Sequence, residues 1–396
     1  MIAAGVGTAA NMARKWSVGL AVMLAGLPLP LAAARPGGQV IRVGPHEAVR
    51  SVAAAAARIK DGGVVEIRAG DYPADVAVWT GDRIVVRGIG GRVRMIAAGA
   101  SAERKAIWVV RGGAVRIENI EFSGARVADH NGAGIRFERG RLTVRDCAFF
   151  DNENGILAGN DGAAELVIEN SEFGHNGAGD GLSHNLYVGR IRKLTVTGSY
   201  FHHARVGHLL KSRAAENHVM YNRLTDEADG RASYELEFPD GGLAYVVGNV
   251  VEQGPDTENR QMISFGAEGY LWPRNRLFLV NNTLVDDRPF GGVMLQVAKG
   301  ADRIVAVNNL LAGGELSPES TGPGEFAGNV RIERSALAAD YRLDGRQRTV
   351  AAGSPVVVEA DGVDLRPVRE YVHPHGLRRR LDQGSQKGAF GGSASD

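Results

Sequence analysis

Ile117-Glu118-Asn119-Ile120-Glu121-Phe122 is the stretch whose reading decides the fold. It alternates apolar and polar residues, pauses at an amide, and closes on a large apolar residue three positions later. The same frame returns in Ile168-Glu169-Asn170-Ser171-Glu172-Phe173 and in Leu279-Val280-Asn281-Asn282-Thr283-Leu284. With the closing residue as marker, the series is Phe122, Phe149, Phe173, Phe201, Leu224, Val251, Leu284 and Leu311, with members 23 to 33 residues apart. Strands this short cannot bury their apolar residues within one unit, so each unit must stack on its neighbours, strand parallel to strand. The amide position carries Asn119, Asp146, Asn170, Gly198, Tyr221, Gly248, Asn281 and Asn308. Stacked asparagines there are expected to hydrogen-bond from coil to coil.

Outward from this repeat, 54 glycines and many short Val/Ile runs fit strands separated by tight turns. The fold class expected is all-β, a right-handed parallel β-helix solenoid with a short N-terminal capping helix. That helix is read at residues 48–60, with Asp61-Gly62-Gly63 ending it. Residues 1–34 read as a signal peptide: Arg14 and Lys15, an apolar run from Trp16 to Leu31, then Ala32-Ala33-Ala34 as the cleavage site. Met12 is an alternative start that would give a more typical signal. The β-helix is assigned to 35–314, and 315–396 to its continuation and a cap, ending in a basic, Gly/Ser-rich tail from Arg378-Arg379-Arg380 to Asp396 with a disordered end. The protein is therefore expected to be exported to the periplasm or beyond, with no membrane insertion once the signal is removed. A formal charge of +1 selects neither nucleic acid nor an anionic membrane as partner. Cys147 is the only cysteine, which excludes an intrachain disulfide, and its apolar setting reads as core filler.

The repeat resembles the pectate-lyase-like β-helix superfamily of polysaccharide lyases, hydrolases, C5-epimerases and phage tailspikes. Residues 48–72, a helix leading into Gly63-Val64-Val65-Glu66-Ile67-Arg68-Ala69-Gly70-Asp71-Tyr72, are similar to the start of many members, and Gly388-Ala389-Phe390 to a late segment. The resemblance covers roughly 39–391 and implies architecture. It does not name a reaction, because the fold hosts many. The calcium-binding aspartates of pectate lyases and the aspartate pair and Gly-His-Gly of polygalacturonases do not stand out here.

Three consecutive units are unusually polar: Ser183-His184-Asn185-Leu186-Tyr187-Val188-Gly189, Gly207-His208-Leu209-Leu210-Lys211-Ser212-Arg213 and Ser233-Tyr234-Glu235-Leu236-Glu237-Phe238-Pro239. Aligning Leu186, Leu210 and Leu236 as inward residues puts Tyr187, Lys211 and Glu237 outward in one column, with coils about 4.8 Å apart. Strict alternation also turns Asn185 and Glu235 outward, and His184 and His208 inward. Five of the ten histidines fall between His175 and His208.

The leading expectation is a polysaccharide lyase that cleaves a uronic-acid glycan by β-elimination. Such a reaction needs a cation for the substrate carboxylate, a base for the C5 proton and an acid for the leaving oxygen. Lys211 and Arg213 suit the first need or proton abstraction, and Tyr187 or His208 the remaining proton transfer. C5-epimerisation shares the first step. An inverting glycoside hydrolase using Glu235 and Glu237, about 6.5–7 Å apart at Cα, is the second reading. The third is a non-catalytic periplasmic glycan-binding protein. His184, Asn185, His203 and Arg260 are the candidate polysaccharide-binding residues, together with Tyr270 and Trp272 in inserts at 253–261 and 269–275 that would wall a groove. Ca2+ is the candidate ion, with Asp180, Glu235 and Glu237 as its acids. Zn2+ at His202-His203 is disfavoured because neighbours on a strand face opposite ways.

Overall fold

The computed structural model describes residues 38–316, 324–344, 359–382 and 386–391. The expected signal peptide and the last residues of the tail lie outside them. Short parallel strands stack coil on coil. Two strands per coil fall in a 21-stranded sheet and the third in a nine-stranded sheet. One coil, for example, contributes Glu165–Glu169, Glu172–Gly174 and Leu186–Val188. Parallel crossovers of this kind are right-handed.

The marker series forms one continuous register. Phe122 pairs with Phe149, Phe149 with Phe173, Phe173 with Phe201, Phe201 with Leu224, Leu224 with Val251, Val251 with Leu284 and Leu284 with Leu311. All eight markers are buried. The rings of Phe122, Phe149, Phe173 and Phe201 stack face to face 4.6–5.2 Å apart, and Trp79 and Trp108 continue the column edge-on. Each ring hides its faces on its neighbours above and below, so the apolar surface is buried between coils and not within one.

The asparagine ladder stands one residue later than expected. The expected position, from Asn119 to Asn308, has φ between 47° and 66° in all eight coils. That left-handed turn accounts for its Asn, Asp and Gly. Oδ1 of Asn170 and of Asn308 accepts no hydrogen bond. The next residue points inward and carries the ladder: Asn222 Nδ2 donates to Asn249 Oδ1 (3.1 Å), Asn249 to Asn282 (3.1 Å), Asn282 to Asn309 (3.0 Å) and Asn309 to Asn329 (2.8 Å). Ser199, Ser171 and Cys147 head the same column. Cys147 is fully buried, and burial pushes its thiol up to about 12, so it is inert filler.

The helix is only Val52–Ala56. Ser51 Oγ accepts from Ala54 N, the Asp75 carboxylate accepts from Val52 N and Ala53 N, and a Val43–Val49 bridge holds the preceding residues extended. Val52 and Ala55 pack into the core at its N-terminal end, as a cap requires. At the other end of the sequence, Arg378 and Arg379 belong to an antiparallel pair, Arg369–Tyr371 with Leu377–Arg379, and not to a tail. Arg380 is buried and bonded to Asp382 and to the carbonyls of Gln386 and Gly388. Ala360 and Leu365 pack on Tyr221, Tyr245 and Phe278, so this segment lies against the outer face of the long sheet. No helix among the described residues is long and apolar enough to cross a membrane.

Candidate active site

The nine-stranded sheet carries the polar strip, and its register matches the expected one. Tyr187 pairs with Lys211, and Lys211 with Glu237. What differs is the facing of the residues before them. Ile107 and Trp108, Leu209 and Leu210, Met262 and Ile263, and Met294 and Leu295 are successive residues that all sit in the core. The pairing register also skips the first of each couple: His208 pairs with Tyr234 and Leu210 with Leu236, while Leu209 and Glu235 have no partner in the ladder. The strand bends at this point in these coils, so two neighbours face inward and strict alternation fails.

This bend reverses four expectations. Asn185 and Glu235 fall in the inward column. Asn185 is buried, accepts from Asn176 Nδ2 (2.8 Å) and donates to the His202 carbonyl (2.8 Å), closing a second amide ladder with Asn152; its role is structural, not substrate-binding. Glu235 is 0% exposed with neither carboxyl oxygen hydrogen-bonded, and burial, reinforced by Asp226, Glu252 and Asp286, raises its pKa well above 4.5. It is a core residue, out of reach of substrate, and the Glu235/Glu237 hydrolase pair is lost with it. His184 and His208 instead stand on the side of Tyr187 and Lys211. Both are buried there, under Tyr187 and Tyr234 respectively.

Around Lys211 the groups are in contact. Lys211 Nζ lies 3.0 Å from Glu237 Oε2 and 3.4 Å from Glu268. Glu237 Oε2 is also 2.8 Å from His208 Nε2, and His208 Nδ1 is 2.7 Å from Ser233 Oγ. Burial disfavours the charge on Glu237, but the His208 hydrogen bond and the Lys211 charge outweigh it and hold the carboxyl below its usual range. An ionised Glu237 fixes the proton of His208 on Nε2 and leaves Nδ1 to accept from Ser233. Burial pushes His208 below the ordinary histidine value despite Glu237, so the ring is neutral at neutral pH. His184, whose Nδ1 accepts from His208 N (3.0 Å), is depressed further by burial and by the charges of His208, Lys211 and Arg213.

Arg213 does not present a free cation. Its guanidinium binds Asp240, both oxygens of Glu268 (2.7 Å each) and Tyr187 Oη (3.0 Å). It therefore positions Tyr187, whose own O–H is left free to donate elsewhere. Trp272 Nε1 donates to the Arg213 carbonyl (3.1 Å), which places that insert against the strip. Tyr270 spends its hydroxyl on the Ala298 carbonyl (2.7 Å) and packs on Phe265. Arg260 is exposed at the head of Gln261–Phe265, two coils beyond Lys211. His203 contacts His202 and Asp229. Asp240, Glu268 and Ser233 were not legible as site residues, because Glu268 reaches Lys211 across 57 positions and the other two carry no motif. The calcium acids do not converge: Glu235 is inward, Glu237 is held by Lys211 and His208, and Asp180 binds its own turn at Leu182 N. A cleft of about 520 Å³ lies away from the strip, lined by Arg50, Asp71, Tyr72 and Asp75.

The model of the "right handed beta helix region" matches residues 100–252. Among solved structures, the chain is similar to the pectate lyase Pel9A, at 11% identity over 90% of this chain and 97% of that one, with a TM-score of 0.62. The fold is a right-handed parallel β-helix. At this identity the likeness concerns architecture alone. Two further structures are more distant: ORF18 of Geobacillus virus E2 (14% identity, 70% of this chain and 53% of that one, TM-score 0.48) and a pectin methylesterase from Aspergillus niger (12%, 78% and 89%, TM-score 0.30). No curated protein sequence matches the chain. Within this β-helix, Lys211 and its partners occupy consecutive coils of one sheet.

Proposed function

We propose that the protein is an exported polysaccharide lyase that cleaves a uronic-acid glycan by β-elimination on the face around Lys211. The observation that carries the reading is one contact set: Tyr187, Lys211 and Glu237 in register on three coils, with the neutral imidazole of His208 bonded to Glu237. In this reading Lys211 meets the substrate carboxylate and stabilises the charge that develops when the C5 proton leaves. His208 takes that proton through Nδ1, directly or by way of the Ser233 hydroxyl, and the Glu237 carboxylate stabilises the imidazolium formed. Tyr187, oriented by Arg213, gives its proton to the departing glycosidic oxygen. Export rests on residues 1–34 as read in the sequence, and the polymer substrate on the succession of coils that carries these groups.

The Ser233–His208–Glu237 chain favours a second reading. Hydroxyl, imidazole and carboxylate in that order are the parts of an activated nucleophile. On a glycan that arrangement would cleave an ester substituent and leave the chain intact. Variants separate the readings. Lys211→Ala and Tyr187→Phe are expected to lower unsaturated-product formation at least about 100-fold while leaving glycan binding within a few-fold, since acid–base groups contribute about 10²–10⁴. Ester release that survives Lys211→Ala and is lost in Ser233→Ala would replace the lyase reading with the esterase one.

A further inference from the structure

Away from Lys211, three histidines meet at one corner of the stack. Gly174 pairs with His202 at the ends of Glu172–Gly174 and Tyr200–His202, so His175 and His203 follow in the same register on adjacent coils. Both take the left-handed conformation, φ 54° and 47°. The turn at His203 cancels the alternation that would send His202 and His203 to opposite faces, and their Nδ1 atoms lie 2.6 Å apart. The His175 ring stacks on His203 at 4.7 Å, and one ring nitrogen from each of the three histidines lies within 4.8 Å of the others.

The outer nitrogens are already taken. His202 Nε2 is 3.3 Å from Glu172 Oε1, and His203 Nε2 is 3.0 Å from Asp229 Oδ1. A carboxylate on Nε2 holds the ring proton there and turns the Nδ1 lone pair inward, the arrangement found in carboxylate–histidine–metal triads. Two such lone pairs then point at each other across 2.6 Å, which is repulsive unless a cation sits between them. A tetrahedral ion with metal–nitrogen bonds of about 2.05 Å needs nitrogens about 3.3 Å apart, so the rings need part by less than about 1 Å.

We propose that His175, His202 and His203 bind a divalent transition ion of the zinc class, with Glu172 and Asp229 as outer-sphere orienting groups and a fourth position open to water. Three imidazole donors exclude Ca2+ and Mg2+ as the preferred ion, since those take oxygen. The ligands come from two adjacent coils and Asp229 from the turn after the next, so the ion ties neighbouring coils together. The side-chain contacts of the three rings among the described residues run to Phe150, Glu172, Tyr200 and Asp229.

The test uses chelator-treated protein without a histidine tag, titrated with Zn2+ by calorimetry and with Co2+ by visible absorption. One equivalent should bind, Co2+ should give the intense bands of a tetrahedral site, and the melting temperature should rise with free metal. His203→Ala and His175→Ala, at positions open enough to tolerate truncation, should each weaken binding at least about 10-fold, and Glu172→Gln or Asp229→Asn by about 10–100-fold. Melting of each variant without metal controls for folding. Binding that is unchanged in the His175→Ala/His203→Ala double variant, or no binding by the parent protein, overturns the proposal; in the latter case the two Nδ1 atoms share a proton.

Discussion

Lys211 is the residue on which the functional account turns, and its neighbours decide what it can do. Glu237 and Glu268 take two of its three N–H donors, whereas Arg213 turns its Nε, Nη1 and Nη2 to Tyr187, Asp240 and Glu268, so Lys211 is the cation with a donor left for a substrate carboxylate. The register of Tyr187, Lys211 and Glu237 was legible in the sequence because Leu186, Leu210 and Leu236 fix it. The facing of Glu235 was not, because it depends on a backbone bend and not on residue type. Glu235 is therefore expected to be replaceable: Glu235→Met should leave activity within about two-fold and hold or raise stability, since a buried carboxyl without a hydrogen bond costs about 1–3 kcal/mol. Thermal melting and a rate assay of that variant check this, and a loss of turnover with an intact fold would restore Glu235 to the site. His208 sets the pH response. Because its pKa lies below the ordinary histidine value, kcat/KM should fall only on the acid side of that value as the ring protonates, and His208→Gln should abolish the limb along with most of the rate.

At the scale of elements, the turn and the ladder are two halves of one device. The left-handed residue, Asn281 or Asn308 for example, turns the chain, and the following asparagine plugs the corner. Asn249 alone donates to Asn282 Oδ1 and the Val219 carbonyl, and accepts from Asn222 N and Asn222 Nδ2. Asn249→Ala should cost at least about 2 kcal/mol, because it strands several buried polar groups at once; denaturant unfolding measures it, and a cost under about 0.5 kcal/mol would show the ladder to be dispensable. The sequence repeat showed that such a position exists but misplaced it by one residue, since asparagine is favoured both in left-handed turns and in ladders. The strand bend left a clearer trace. The apolar couples Ile107-Trp108, Leu209-Leu210, Met262-Ile263 and Met294-Leu295 recur at the same point of four coils, and two adjacent apolar residues on a strand are what alternation does not produce.

At the scale of the whole molecule, the repeat made the coil stack legible, while the clustering of acids that depends on stacking was not. Asp226 and Glu235 of one coil, Glu252 of the next and Asp286 of the one after meet in or beside the core. Burial raises Glu252 to about 8 and Asp226 to about 6. A carboxyl that holds its proton more tightly in the folded state stabilises the fold fully below its unfolded value and loses that contribution as pH rises through its folded value. Melting temperature should therefore decline from about pH 5 toward pH 9, and Glu252→Gln should flatten the decline between 6 and 9. A profile that rises across that range would contradict this arrangement. The stack also sets Tyr187 and Lys211 in one column with His208 buried beside them, where β-elimination is proposed. The most direct measurement is incubation of the protein with a panel of uronic-acid polysaccharides, reading the ultraviolet absorbance of the unsaturated uronate end. Absorbance should grow with at least one member of the panel and disappear with Lys211→Ala, whereas new reducing ends or released ester groups without that absorbance would rule β-elimination out.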